Sequence, residues 1–243
     1  MATTFRAQPS AERRFYSFMA LFMIALVLIG FAPSFYLRGI VHSPRPNPSL
    51  SPMVMFHGLM FSLWMVIFWA QTALIAANNR AAHMRFGIAG MGFAVLLLPV
   101  MYLTAVGQVA RANQPPMVTP LAWTIVPLAL IPVFAALIWL GWRERKNAQA
   151  HKRLMLSAAL IMMDPAIGRL PIVPPVLAGF AFLNLLSLLT FAPLVWWDRK
   201  TLGKLHWATK TGAGLFAGAL ALRIVVLAAP GPWEAIAAHL PGV

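Results

Sequence analysis

Residues 53–78, MVMFHGLMFSLWMVIFWAQTALIAAN, form an uncharged stretch that is followed at once by the basic turn NRAAHMR at 79–85. An α-helix rises about 1.5 Å per residue, so about 20 apolar residues cross a hydrocarbon core of roughly 30 Å. The stretch is therefore long enough to span a membrane, and the basic turn indicates where the chain leaves the lipid. How often this pattern recurs decides the fold.

The composition of the whole chain agrees with this interpretation. Of its 243 residues, 60% are hydrophobic and only 10% are charged, which is more apolar side chain than a soluble domain of this size can bury. The pattern predicts an all-α, polytopic transmembrane bundle of seven helices. The predicted crossings are 15–37, 53–78, 86–107, 121–142, 154–172, 177–197 and 207–229.

These crossings make residues 1–243 a single integral membrane domain. It consists of a cytoplasmic segment 1–14, the bundle 15–229 and a short outer tail 230–243. We expect the fifth helix to be kinked or half-unwound, because Pro165 and Pro171 interrupt it and proline cannot donate a helical hydrogen bond.

The basic residues predict the orientation of the bundle. The net charge is +14, but the cations lie between apolar segments, so they indicate membrane topology and not a nucleic-acid partner. Alternate loops group fourteen Lys and Arg on one side, and three on the other. The positive-inside rule then predicts a cytoplasmic N-terminus and an outer C-terminus in a bacterial inner membrane. Because there is no cysteine, disulfides, cysteine-ligated metal centres and thiol catalysis are excluded.

Three histidines occupy similar places in this topology. His83, His151 and His206 each follow a basic stretch and precede an apolar segment, which places them on the cytoplasmic side. Neutral imidazole is a common ligand of transition metals and of haem iron, so the trio predicts a metal site. The same positions also suit ordinary interfacial or loop-bracing histidines.

A second polar group lies within the outer half of the predicted bundle. It consists of Asp164, Arg169 and Arg223 inside apolar segments, with His57 and Asn184 entering from helix ends. Ionised groups in lipid are costly unless they are paired or face water, so this group predicts a ligand pocket. Two arginines beside one aspartate favour a small anionic or lipid-like ligand. The alternative is a buried salt bridge that only fixes helix packing.

Several motifs resemble a widespread group of uncharacterised bacterial polytopic membrane proteins. They are HGLMFSLW at 57–64, AHMRFG at 82–87, HKRLML at 151–156 and DPAIGRLP at 164–171. This resemblance implies membership without an activity. The chain is also distantly similar to cytochrome b561-type proteins, which implies a haem held by histidines near helix ends.

The sequence leaves three functions open. The first is a redox or electron-transfer protein that binds haem b or a transition metal through some of His57, His83, His151 and His206. The second is a carrier or binding protein whose ligand occupies the pocket of His57, Asp164, Arg169, Asn184 and Arg223. The third is a non-catalytic subunit of a larger membrane complex. Whether the protein is an enzyme stays open.

Overall fold

A computed structural model describes residues 9–42, 49–170 and 179–243, and these residues are mainly helical. A π-helical turn, Ala32–Tyr36, continues the first helix. The α-helices in these ranges are α1 Pro9–Phe31, α2 Pro52–Ala76, α3 Arg80–Arg111, α4 Pro120–Trp123, α5 Ile125–Leu128, α6 Leu130–Arg143, α7 Ala148–Ile161, α8 Asp164–Ile167, α9 Phe180–Leu189, α10 Ala192–Leu202, α11 Trp207–Ala228 and α12 Gly231–Ala237.

Six stretches of the described chain are long and apolar enough to cross a membrane. They are Ser10–Tyr36, Pro52–Ala76, Arg80–Arg111, Pro120–Arg143, Phe180–Leu202 and Trp207–Ala228. They correspond to six of the seven predicted crossings and are consistent with a multi-pass membrane protein. Residues 171–172 and 177–178, at the ends of the fifth and sixth predicted crossings, lie outside the described residues.

The predicted fifth crossing is interrupted, as expected. Helix α7 ends at Ile161, and the short helix α8 begins at Asp164, immediately before Pro165. Leu154, Leu156 and the run Ala158–Ile161 are completely buried. Helix α7 is therefore covered by other helices, and the polar side chains that directly follow it lie in the interior of the bundle.

Two of the turns between helices end in an asparagine that caps the next helix. Asn79 accepts a hydrogen bond from the Ala82 backbone at 3.0 Å, and Asn147 accepts one from Ala150 at 3.3 Å. Such caps satisfy amide groups that a helix start leaves unpaired. Helix α11 begins differently, because His206 accepts from the Ala208 backbone through Nδ1 at 3.1 Å.

These turns lie together at what we call the basic end of the bundle. Arg13 of α1 donates to Asn78 in the α2–α3 turn, while Glu12 pairs with Lys152 at the start of α7. At the opposite end, α12 is fixed by a hydrogen bond from Trp233 to Thr124. Helix α1 thus starts at the basic end, and α12 lies at the opposite end.

Glycines set how closely the central helices approach. A Cβ at Gly212 of α11 would collide with the side chain of Ser157 in α7, and one at Gly30 of α1 would collide with the Ala166 carbonyl in α8. Only glycine permits such approaches of one helix to another. The two contacts bring α1 and α11 close to the broken central helix on which the polar residues lie.

Candidate functional site

Asp164 and Arg223 form an ion pair inside the bundle. The Nη1 atom of Arg223 donates to Oδ2 of Asp164 at 2.9 Å, and the Ser187 hydroxyl donates to Oδ1 at 2.8 Å. The Arg223 side chain is 1% exposed and that of Asp164 is 12% exposed. Helices α8, α9 and α11 therefore meet around one carboxylate. We call Asp164, Ser187 and Arg223, together with Asn184, the Asp164 cluster.

The Asp164 cluster has more hydrogen-bond donors than acceptors. Within the described part of the chain, Nε and Nη2 of Arg223 have no hydrogen-bond partner, and the same holds for Nδ2 of Asn184. Asn184 is buried and lies three residues before Ser187, on the same face of α9. A buried donor without an acceptor costs about 1–3 kcal/mol. These atoms are therefore available to an acceptor that the described part of the chain does not supply.

Arg169 and His57 flank the Asp164 cluster. Arg169 donates from Nη1 to the Pro165 carbonyl at 2.5 Å, and its guanidinium lies over the ring of Phe31, 4.6 Å from the centroid. The ring of His57 packs against Phe61 at a tilt of 32°, with centroids 4.4 Å apart, and His57 is close enough to Arg169 to interact electrostatically. Thus Arg223, and not Arg169, is the ion-pair partner of Asp164.

The structure divides the histidine trio. His83 and His151 lie together, with ring centroids 6.3 Å apart, whereas His206 uses Nδ1 to cap α11. Among residues 9–42, 49–170 and 179–243, no three side chains of His, Asp or Glu are grouped closely enough to hold a metal ion. The three predicted ligands therefore do not form one set.

A second buried ion pair was missed by sequence reasoning. Asp198 accepts from Arg153 Nε at 2.8 Å and Nη2 at 2.7 Å, while its other oxygen accepts from the His206 backbone at 2.9 Å. The remaining Arg153 nitrogen, Nη1, donates to the Gln149 side chain at 2.6 Å and to the Gln149 carbonyl at 2.9 Å. Arg153 is 1% exposed, and Asp198 is fully buried.

The two ion pairs differ in one respect that bears on function. Every guanidinium nitrogen of Arg153 has a partner, so this pair has the properties of a structural brace at the basic end. Arg223 is equally buried but has one nitrogen paired and two without a partner in the described residues. Unsatisfied buried polar groups are rare in native proteins and call for an explanation.

No family model matches this chain, and no curated protein or solved structure shows significant similarity to it.

Proposed function

We propose that this protein is a multi-pass membrane protein that binds or carries a small anionic or lipid-like ligand in the Asp164 cluster. The observation that carries the proposal is Arg223, whose Nε and Nη2 atoms are buried without a partner in the described chain. A guanidinium presents such nitrogens in a planar fork, which matches the two oxygens of a carboxylate or phosphate. Asn184 adds a further buried donor.

The local charge supports an anion. Asp164 pairs with Arg223, and the positive charge of Arg169 acts on His57 beside the cluster. A buried donor is stabilised when an acceptor approaches it, so a bound anion offsets the cost of the unsatisfied donors of Arg223 and Asn184. An apolar tail on the ligand would extend among the surrounding aliphatic side chains.

The proposed setting is the inner membrane of a bacterium. Fourteen basic residues on one set of loops favour a cytoplasmic N-terminus, with the broken α7–α8 segment as a seventh crossing. In this orientation the Asp164 cluster lies in the outer half of the membrane, and the ligand would reach it from the outer leaflet.

The binding test uses the protein in nanodiscs made only of phosphatidylcholine, which carries no net charge. Acetate, inorganic phosphate and phosphatidylglycerol serve as separate probes, which distinguishes free anions from an anionic lipid. We expect one of them to bind, and Arg223→Gln to weaken its binding at least about tenfold, because one charge-assisted hydrogen bond contributes about 1.5–3 kcal/mol. Arg199→Gln, which removes an exposed arginine at the basic end, is the control.

A second variant keeps the test decisive if Arg223→Gln fails to fold. Asn184→Asp removes a buried donor that lacks a partner in the described chain and adds a carboxylate to a cluster that holds a buried arginine, so we expect it to fold at least as stably as the wild type. The new negative charge should also exclude an anionic probe. If none of the three probes binds the wild type, or if Asn184→Asp binds one equally well, the Asp164 cluster is only a brace and the proposal is wrong.

A further inference from the structure

A groove at the basic end of the bundle lies between the first turns of α1 and the end of α2. It has a volume of about 400 Å³ and is lined by Ser10, Arg13, Arg14, Ser17 and Ala76. The four residues from α1 are three or four positions apart, so they share one face of that helix. The groove, which we call the α1 groove, thus presents two guanidinium groups and two hydroxyls, and none of its five lining residues is acidic.

The positive charge of the α1 groove is not paired with a carboxylate of the described chain. Arg13 donates from Nη2 to Oδ1 of Asn78 at 2.8 Å, which fixes its guanidinium beside the α2–α3 turn. Arg14 is exposed and forms no hydrogen bond or ion pair with another described residue. Glu12, the nearest acid along the chain, is bound to Lys152. Both arginines are therefore available to an anion from outside the protein.

An exposed apolar stripe continues from the α1 groove along the same helix. It consists of Phe18, Leu21, Ala25 and Leu28, which follow Arg14 at alternating steps of four and three residues. At about 1.5 Å per residue, the stripe reaches about 21 Å from Arg14, which is more than one leaflet of a hydrocarbon core of roughly 30 Å. One molecule with an anionic head and an apolar tail would thus cover both the groove and the stripe.

We propose that the α1 groove binds the phosphate headgroup of an anionic phospholipid, with an acyl chain along the apolar stripe. A guanidinium matches the oxygens of a phosphate through its planar fork, and the two serine hydroxyls can donate to the same group. Residues 1–8 contain no acid, so they supply no competing carboxylate. The inference rests on the proposed membrane setting, but it does not depend on the ligand of the Asp164 cluster.

The test uses the protein in phosphatidylcholine nanodiscs that contain a small fraction of a photoactivatable lipid. The probe is phosphatidylglycerol with a diazirine in its acyl chain, and phosphatidylcholine with the same chain is the reference probe. Trypsin cuts after Arg14 and Arg38 and releases peptide 15–38, which carries the stripe. We expect phosphatidylglycerol to label residues 18–25 of this peptide at least about fivefold more than the reference probe, since this is the factor that one basic side chain near the surface contributes.

Substitutions at Arg14 test whether the preference comes from the α1 groove. Arg14→Gln removes a side chain without a partner in the described chain, so it should fold normally and reduce the preference about fivefold. Arg14→Glu should reverse the preference in favour of phosphatidylcholine. Arg199→Gln is the matched control, because it removes the same charge from an exposed position at the same end but outside the groove. It should keep the full preference.

Three results would overturn the proposal. The first is equal labelling of residues 18–25 by the two probes in the wild type, and the second is an equal loss of preference in Arg199→Gln and Arg14→Gln. The third is loss of the preference in inorganic phosphate but not in chloride of the same ionic strength, which would indicate a site for a free anion. Arg223→Gln should leave this labelling unchanged, so failure here is distinguishable from failure of the Asp164 cluster to bind its ligand.

Discussion

The two buried ion pairs should respond in opposite ways when both partners are made neutral. The first double variant is Arg153→Met with Asp198→Asn, and the second is Arg223→Met with Asp164→Asn. Each removes one cation and one anion together, so neither leaves an uncompensated charge. The comparison thus isolates how well each pair is hydrogen-bonded in the wild type.

The expected magnitudes follow from the contacts. Asp198→Asn alone leaves Arg153 charged and 1% exposed, and removal of one partner from such a pair costs about 3–5 kcal/mol. The first double variant recovers much of this loss but stays less stable than the wild type, because the Gln149 and His206 contacts also disappear. The second removes two nitrogens of Arg223 that lack partners in the described chain, each with a penalty of about 1–3 kcal/mol. It should be more stable than the ligand-free wild type.

The assay is reversible SDS-induced unfolding of the purified protein in detergent micelles, followed by tryptophan fluorescence. Each double variant is measured with its two single variants, so that the coupling energy comes from a complete cycle. The result that refutes the reasoning is a second double variant that is clearly destabilised. Arg223 would then be satisfied in solution, and its unpaired nitrogens could not be the basis of ligand binding.

Three further predictions concern pH, packing and topology. Burial lowers the pKa of His206, and Arg153 lowers it further, so the native state binds fewer protons than the unfolded state. The contribution of neutral His206 to the free energy of unfolding should therefore be fully present above pH 6.5, its ordinary pKa, and be lost as the pH falls below that value. Thermal unfolding at several pH values measures this loss, which should be smaller in His206→Asn. Gly212→Ala should lower stability by about 1–3 kcal/mol in the same SDS assay, because its Cβ collides with α7, whereas Gly214→Ala, with no neighbour within 4 Å, should be tolerated. Since the chain has no cysteine, Met117→Cys should react with an impermeant maleimide in intact cells and Lys146→Cys only after lysis; the reverse result would invert the topology.

Local composition was sufficient to predict where most of the long helices lie. Six predicted crossings correspond to apolar helices, and the break in α7 follows from Pro165, because each depends on a short run of residues. The short helix α12 was not predicted, because its seven residues are too few for a membrane span and too short for a clear periodicity. The number of crossings and their orientation depend on the lipid and stay predictions.

Pairings between helices were harder to predict. Depth along the membrane suggested that Asp164, Arg169 and Arg223 lie near one another, but the rotation of each helix decides which arginine meets the carboxylate. That rotation is set by contacts such as Gly212 against Ser157, which sequence does not reveal. In the same way, the predicted topology placed the three histidines at one depth in the membrane but did not show that His206 caps α11.

Arg153 is a buried residue that the positive-inside rule treats as a loop cation. The positive-inside rule counts it as one of fourteen loop cations, and yet it is 1% exposed and bound to Asp198, which lies 45 residues further along the chain. The available clue was the scarcity of acids, since only five Asp and Glu occur in the chain. In an apolar chain with so few carboxylates, each one is a candidate for a specific buried partner.

The regular and irregular parts of the central helix explain why the two ends differ. Helix α7 runs unbroken from the basic end, where the Arg153 guanidinium is fully bonded and the polar groups stabilise the fold. Beyond Ile161 the helix breaks, and Asp164 lies opposite α9 and α11. Irregular backbone at membrane depth persists only where protein or a polar cavity surrounds it. Departures from regular structure and from full hydrogen bonding coincide at functional sites more often than elsewhere. Their coincidence around Asp164 is the reason to propose ligand binding for this half of the bundle, and a bracing role for the Arg153 pair.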